Sequence, residues 1–320
     1  MQTAEHSGGR ARAHRQGFTL VELLISVSLL MVVLLPVWEL TGSTLALYRT
    51  DQARLGANRN ARSTLEILGN DVRQSGERFS SDFPAISVSQ DSSGNSVLTL
   101  RRSLTDAPLP LCAPIPAAAA LYVNGNSPYR AALPGGRSNL PDACVSAPQN
   151  LTSWDSQIQA GNDRGYIVDM SGSRQAGDFV ILTGTSNVGG RQTLLSRGLP
   201  RSVYDPRRVS SSDRGRDVRV YLMEERRYFV QGGQLQLAVN GDPAQAAAPG
   251  VLSFTAVPYL KGNPPVPAPL PFPGGKAVSW KSLAYLDLTL VLRESGGRGV
   301  SVTRSLTERY TPRNASSADQ

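Results

Sequence analysis

The sequence predicts an α+β fold, a long N-terminal helix packed on a mainly antiparallel, β-rich globular head. Three observations predict it. Phe18 to Leu35 is an 18-residue run with 14 apolar side chains, interrupted only by Thr19, Glu22, Ser26 and Ser28. Further on, Ala61, Leu65, Leu68 and Val72 fall at 4-3-4 spacing, with Arg59, Arg62, Glu66, Asn70 and Arg73 on the other faces, the pattern of a helix lying on a sheet. The remaining residues hold short alternating runs separated by Gly, Ser and Asn clusters, the pattern of hairpins.

The apolar run makes a helix of about 27 Å, close to the hydrocarbon thickness of a bilayer. Arg10, Arg12 and Arg15 precede it against one acid, Glu5. That excess places the N-terminus in the cytoplasm and everything after Trp38 across the membrane. A cleaved secretory signal would carry a small-residue site after the run, where Pro36-Val37-Trp38-Glu39-Leu40 stands instead. A plain anchor has no reason to hold Glu22, since a charge costs about 2.5–3.5 kcal/mol near the centre of a span and less near its end. The order Gly17-Phe18-Thr19-Leu20-Val21-Glu22-Leu23-Leu24 resembles the type III signal of type IV pilins and pseudopilins, matching that pattern at each of these positions.

The resemblance implies a mechanism. A prepilin peptidase would cut after Gly17 and methylate the amine of Phe18, leaving 303 residues (320 − 17). Glu22 is then the fifth mature residue, and in the family this carboxylate pairs with the N-terminal amine of a neighbouring subunit, relieving two buried charges at once. Snorkelling to the headgroups is the alternative for Glu22. On this reading residues 1–17 are a leader and 18–78 the helix, 18–38 in the membrane and 39–78 an amphipathic stem. Pro36 removes one helix hydrogen bond and bends or opens the helix; pilins of the family commonly carry a proline here, so Pro36 reads as a hinge. The stretch 59–76 resembles the stem of PilW-type minor pilins and the related J-type pseudopilins, with Gly76 as its stop.

The head, 79–320, reads as strands. Ala85–Gln90 and Ser96–Arg102 flank Asp91-Ser92-Ser93-Gly94-Asn95, and Gly165–Met170 and Asp178–Thr185 follow. Asp217–Val230 and Gln234–Val239 flank Gln231-Gly232-Gly233, while Ala284–Arg293 and Gly299–Thr307 flank Glu294-Ser295-Gly296-Gly297-Arg298. The last pair, and Leu306 to Asn314 after it, resemble the C-terminal part of PilW-type proteins. Two segments, Pro108–Pro148 with eight prolines and Pro258–Pro273 with seven, are expected as surface loops or polyproline segments outside any central strand.

Cys112 and Cys144 stand 32 apart, a spacing that matches no metal pattern. An even count beyond the membrane suggests one disulfide, with two buried thiols as the other reading. Many major pilins close their disulfide loop near the C-terminus, whereas 176 residues (320 − 144) follow Cys144. The departure favours a minor subunit.

Enzyme chemistry finds little support. Both histidines, His6 and His14, lie in the leader, so the processed chain holds no imidazole base, Ser-His-Asp triad or His-ligated metal. GxGxxG, P-loop, CxxC, HExxH and GxSxG patterns are missing too. The Asp91–Asn95 stretch could offer oxygen ligands to calcium but lacks the spacing of an EF-hand, and it reads as a turn. The formal charge is +8, from 30 Arg and 3 Lys against 25 acids. Its densest segment carries Arg201, Arg207, Arg208, Arg214, Arg216 and Arg219 beside Tyr204. Such a set could grip a phosphate backbone and suit DNA uptake, or form a solvated, partly self-paired loop.

These readings predict an interaction protein with no catalytic residue, metal or cofactor. The resemblance implies prepilin peptidase, major and minor pilins and an inner-membrane assembly platform as partners. It places the chain in the inner membrane first and on the cell surface after assembly. A J-type pseudopilin of a type II secretion system shares the leader and stem. A membrane-anchored hydrolase using two carboxylates is the rival of another class.

Overall fold

A computed structural model of the chain describes residues 19–79, 81, 83–115, 120–124, 144, 149–169, 177–197, 218–272, 278–297 and 300–316. Two compact units are distinguished, Met1–Ala53 with Ser295–Ser301, and Arg54–Glu294 with Val302–Gln320. Helix α1 spans Leu20–Gln74 and is continuous through Pro36. In the second unit the 4-3-4 stripe becomes core: Ala61, Leu65, Leu68 and Val72 are buried, while Arg59, Arg62, Glu66, Asn70 and Arg73 are exposed. Each of the two leucines contributes about 1.5–3 kcal/mol by leaving water. The helix ends at Gln74, four residues short of the expected 78. Gly76 then takes φ +76°, and a Cβ there would lie 2.2 Å from the Trp280 ring, so both backbone and packing demand glycine.

The strands of the head follow as β1 (Ile86–Gln90), β2 (Ser96–Ser103), β3 (Leu109–Pro110) and β4 (Ala120–Tyr122). After α2 (Thr152–Gln159) come β5 (Arg164–Asp169), β6 (Gly177–Val188), β7 (Arg191–Arg197), β8 (Val218–Gln231), β9 (Gln234–Val239) and β10 (Gln245–Pro249). The chain closes with β11 (Val251–Leu260), β12 (Val266–Pro267), β13 (Leu283–Gly297), β14 (Val300–Tyr310) and α3 (Arg313–Ser316). One sheet runs β1-β2-β8-β5-β6-β7-β4, with β3 and β9 also on β8 and β10 on β9; the other runs β12-β11-β13-β14.

The 14-residue β8 joins two halves of the large sheet. Its first half pairs with β5, Tyr221 opposite Tyr166, and with β3. Its second half pairs with β2, Glu225 opposite Arg101, and with β9, Tyr228 opposite Leu237. The main core combines the α1 stripe with Phe254 and Ala256 of β11 and Leu286, Leu288, Leu290 and Leu292 of β13. A second core gathers Trp154 and Ile158 of α2 against Ile167, Val180, Leu182, Leu194, Val220 and Leu222.

The anticipated hairpins are present at β1–β2 and β8–β9, and β13 neighbours β14. The Pro-rich segments need correcting. Leu109–Pro110 and Ala120–Tyr122 are strands β3 and β4, and Pro258 lies inside β11, opposite Leu286 of β13. Its carbonyl accepts from the Ala268 N–H at 2.8 Å. A residue turns N–H and C=O to the same side of its strand, so the missing donor faces the two-residue β12 and costs β13 no ladder bond. Nor is the rest of that segment a free loop, since Phe272 exchanges backbone bonds of 2.8 and 3.0 Å with Val88. Strands β7, β10 and β11 and helix α2 were not anticipated from the sequence.

Candidate functional site

The N-terminal end of α1 is built by a reciprocal cap. The Glu22 N–H donates to Thr19 Oγ1 at 3.3 Å, and the Thr19 N–H donates to Glu22 Oε2 at 3.5 Å. Thr19-Leu20-Val21-Glu22 is therefore a capping box, placing a carboxylate in the first turn where the helix dipole favours it. Sequence reasoning assigned Glu22 an intermolecular role and overlooked this local one, although S/T-x-x-E before an apolar run signals it.

Beyond the cap the helix exposes its apolar side chains on every face. Leu20 and Trp38 are 76% and 82% exposed, and most of the large apolar side chains between them are also exposed. Polar residues inside the run are internally satisfied: Ser26 and Ser28 donate to the carbonyls of Glu22 and Leu24 at 2.7 and 2.8 Å. Among the described residues this is the one helix long and apolar enough to cross a membrane. So large an apolar surface calls for lipid or neighbouring helices. Proline removes the N–H that would reach the Val32 carbonyl, yet α1 carries Pro36 without interruption.

The stem half of α1 is held to the head by a charged network. Arg226 of β8 donates to Asp71 Oδ1 at 2.7 Å, and the Tyr228 hydroxyl donates to Asp71 Oδ2 at 2.5 Å. Arg226 also bonds Glu224, which accepts from Arg102 of β2 at 2.7 Å. Arg102 in turn reaches Gln74 of α1. Two buried carboxylates thus meet two guanidiniums, and each charge is paired. Burial pushes the Glu224 carboxyl up, but hydrogen bonds from Arg102 and Arg226 outweigh it and hold the group below its ordinary range. Burial and the Asp71 charge push the Tyr228 hydroxyl well up, so it stays a neutral donor. Sequence reasoning missed this anchor: its partners lie 155 residues apart and follow no periodic pattern.

Glycine marks a further contact. A Cβ at Gly69 would stand 2.0 Å from the Tyr310 ring, so the helix lies directly on that aromatic. Arg73 sits over the same ring, 5.3 Å from its centroid.

Other sequence-derived positions fall as follows. Cys112 and Cys144 form a disulfide with Cα atoms 5.7 Å apart. The Asp91 side chain accepts from the Ser93 and Asn95 N–H groups at 2.8 and 2.9 Å, so one of its oxygens is committed to the turn. No group of metal-ligating side chains occurs among the described residues. Arg219 lies in β8 opposite Val168. Gly17, Phe18, Arg201, Arg207, Arg208, Arg214 and Arg216 lie outside the described residues.

No curated protein and no solved structure matches the chain. Residues 12–38, however, match the family model of the prokaryotic N-terminal methylation motif. That match, the membrane-capable helix and the antiparallel head behind it support a type IV pilin or pseudopilin, a structural subunit made as a prepilin.

Proposed function

We propose that the chain is a PilW-type minor pilin of a type IV pilus. The observation that carries the reading is the methylation motif over residues 12–38, set on a helix whose apolar surface is exposed all round. Prepilin peptidase cuts between Gly17 and Phe18 and methylates the new amine. Glu22 then has two tasks. Its Oε2 holds the Thr19 N–H, and its Oε1 accepts the amine of a neighbouring subunit, so that neither charge stays unpaired in the filament core. Pro36 supplies the point at which the helix opens as subunits pack. The inner-membrane assembly platform extracts the subunit, which joins major and minor pilins through α1 and carries its disulfide-closed head outward.

The chain's departure from major pilins, a disulfide followed by a long β-rich region, supports the minor role. A DNA-uptake function would use Arg201, Arg207, Arg208, Arg214 and Arg216. The N-terminal mass of protein recovered from membranes and from sheared surface filaments tests the reading. A chain beginning at N-methylated Phe18 in the sheared fraction is expected. The same processed chain confined to membranes transfers it to a type II secretion pseudopilus. An intact leader overturns it in favour of an anchored enzyme.

A further inference from the structure

Among the described residues the four-stranded sheet ends at β14, with no strand beyond it. The ladder shows which backbone groups of that edge are unspent. Pro258 turns its carbonyl toward β12, so the Pro258–Leu286 pair exchanges no ladder bonds and Leu286 turns its N–H and C=O toward β14. The Arg293 N–H donates to Gly250 at 2.7 Å, consistent with odd-numbered β13 residues facing β11 and even-numbered ones facing β14. The Thr289 and Thr307 hydroxyls lie 2.8 Å apart, and Arg309 bonds Asp287. That register sets Leu288, Leu290 and Leu292 opposite Glu308, Leu306 and Arg304, whose backbone groups are spent on β13. Thr303, Ser305 and Thr307 turn theirs to the open edge.

Edges of this length are commonly blunted by proline, bulges or inward charges. Val300–Tyr310 contains no proline; of its two inward charges, Glu308 accepts from the Tyr310 hydroxyl and Arg304 stands on the same side as a basic groove. Leu55, Arg59, Arg62 and Glu66 of α1 line that groove with Leu306 of β14, enclosing about 640 Å³. An added strand would send alternate side chains into it, against two arginines and one glutamate, with Arg304 beside them.

We propose that β14 accepts an extended acidic segment of a partner protein as an added strand, its inward acids meeting Arg59, Arg62 and Arg304. Main-chain bonds to Thr303, Ser305 and Thr307 supply affinity and the arginines supply selection. A second copy of β14 would bring its own Arg304 to this cationic groove, which disfavours self-pairing. The inference does not rest on the prepilin reading.

The test uses the full-length chain in detergent micelles and a blocked peptide alternating valine with glutamate, with a valine–lysine counterpart. The glutamate peptide is expected to bind at least about tenfold more tightly, and to slow exchange of the Ser305 and Thr307 N–H groups by about tenfold or more. Ser305→Pro removes only an edge-facing donor, so it should weaken binding at least about tenfold while thermal unfolding stays unchanged. Failure of the glutamate peptide to bind, equal affinity for both peptides, or binding without slowed exchange at Ser305 and Thr307 overturns the proposal. The exchange result decides even if Ser305→Pro does not fold.

Discussion

Substituting Gly69 by alanine tests whether the stem is seated by close backbone approach or by apolar burial alone. In an exposed helix interior, glycine to alanine stabilises by about 1 kcal/mol. Here the added methyl would stand 2.0 Å from Tyr310 Cε1. Tyr310 is 4% exposed, and its hydroxyl donates to Glu308 at 2.5 Å, so the ring has little room to withdraw. Overpacking of this kind costs about 1–3 kcal/mol. A contact this short belongs at the upper end, so the net loss should be about 2 kcal/mol. For a chain of this size that is about 3 °C in Tm. Urea and thermal unfolding of the full chain in micelles would report it through Trp154 and Trp280, which are 1% and 0% exposed. The decisive comparison is the same substitution in a Tyr310→Ala background, where the obstacle is gone and alanine should stabilise by up to about 1 kcal/mol. A Gly69→Ala effect of the same sign and size in both backgrounds would refute the reasoning.

Three other outcomes follow from the anchor and the disulfide. Arg226→Met leaves the Asp71 carboxylate buried with one donor fewer, and urea unfolding should show a loss of about 3–5 kcal/mol; Arg226→Met with Asp71→Leu should recover much of it. Because the folded-state Glu224 carboxyl lies below its ordinary 4.5, its contribution is present above that value and is lost as pH falls through the lower folded one. Glu224→Gln should therefore flatten the acid limb of stability measured between pH 5 and pH 2 (about the range over which such a group titrates). Replacing Cys112 and Cys144 by serine opens a loop of sequence separation 32, with an expected loss of about 3–4 kcal/mol in the chain-entropy model, read from the urea midpoint under oxidising conditions.

Periodicity made the stem and most hairpins legible. Ala61, Leu65, Leu68 and Val72 repeat as a helix on a surface must, and Gly232-Gly233 and Asp91–Asn95 announce their turns chemically. Strand β11 stayed hidden because Pro258 looks like a breaker; only the neighbouring strand reveals that its missing donor faces the short side. Strand β10, Gln-Ala-Ala-Ala-Pro in sequence, offers neither alternation nor β-branched residues, and pairing with β9 alone makes it a strand. The Glu22 position was legible from a motif, yet its bond to Thr19 was not drawn from the same letters. The Asp71–Arg226 anchor could not be read at all, because a single charge on a helix carries no information about which of 30 arginines will meet it.

That anchor bears on specificity more than on strength. An apolar stripe at 4-3-4 spacing can be satisfied by more than one seating of a helix on a leucine-rich sheet, since a shift by one repeat returns apolar residues to the same face. Gly69 and Asp71 do not repeat. Moving α1 by one turn would set Leu65 or Arg73 level with the position Gly69 now occupies and Ile67 or Ser75 level with that of Asp71, pressing a larger side chain on Tyr310 and leaving Arg226 without its carboxylate. Burying the Asp71–Arg226 pair gains little over an apolar alternative, but leaving it mismatched costs several kcal/mol. The gap between the native seating and its neighbours is therefore set by these few residues, while the leucines set the overall depth. A subunit that must present one fixed face of its helix to neighbours needs that gap, and a stem built from the stripe alone would not have it.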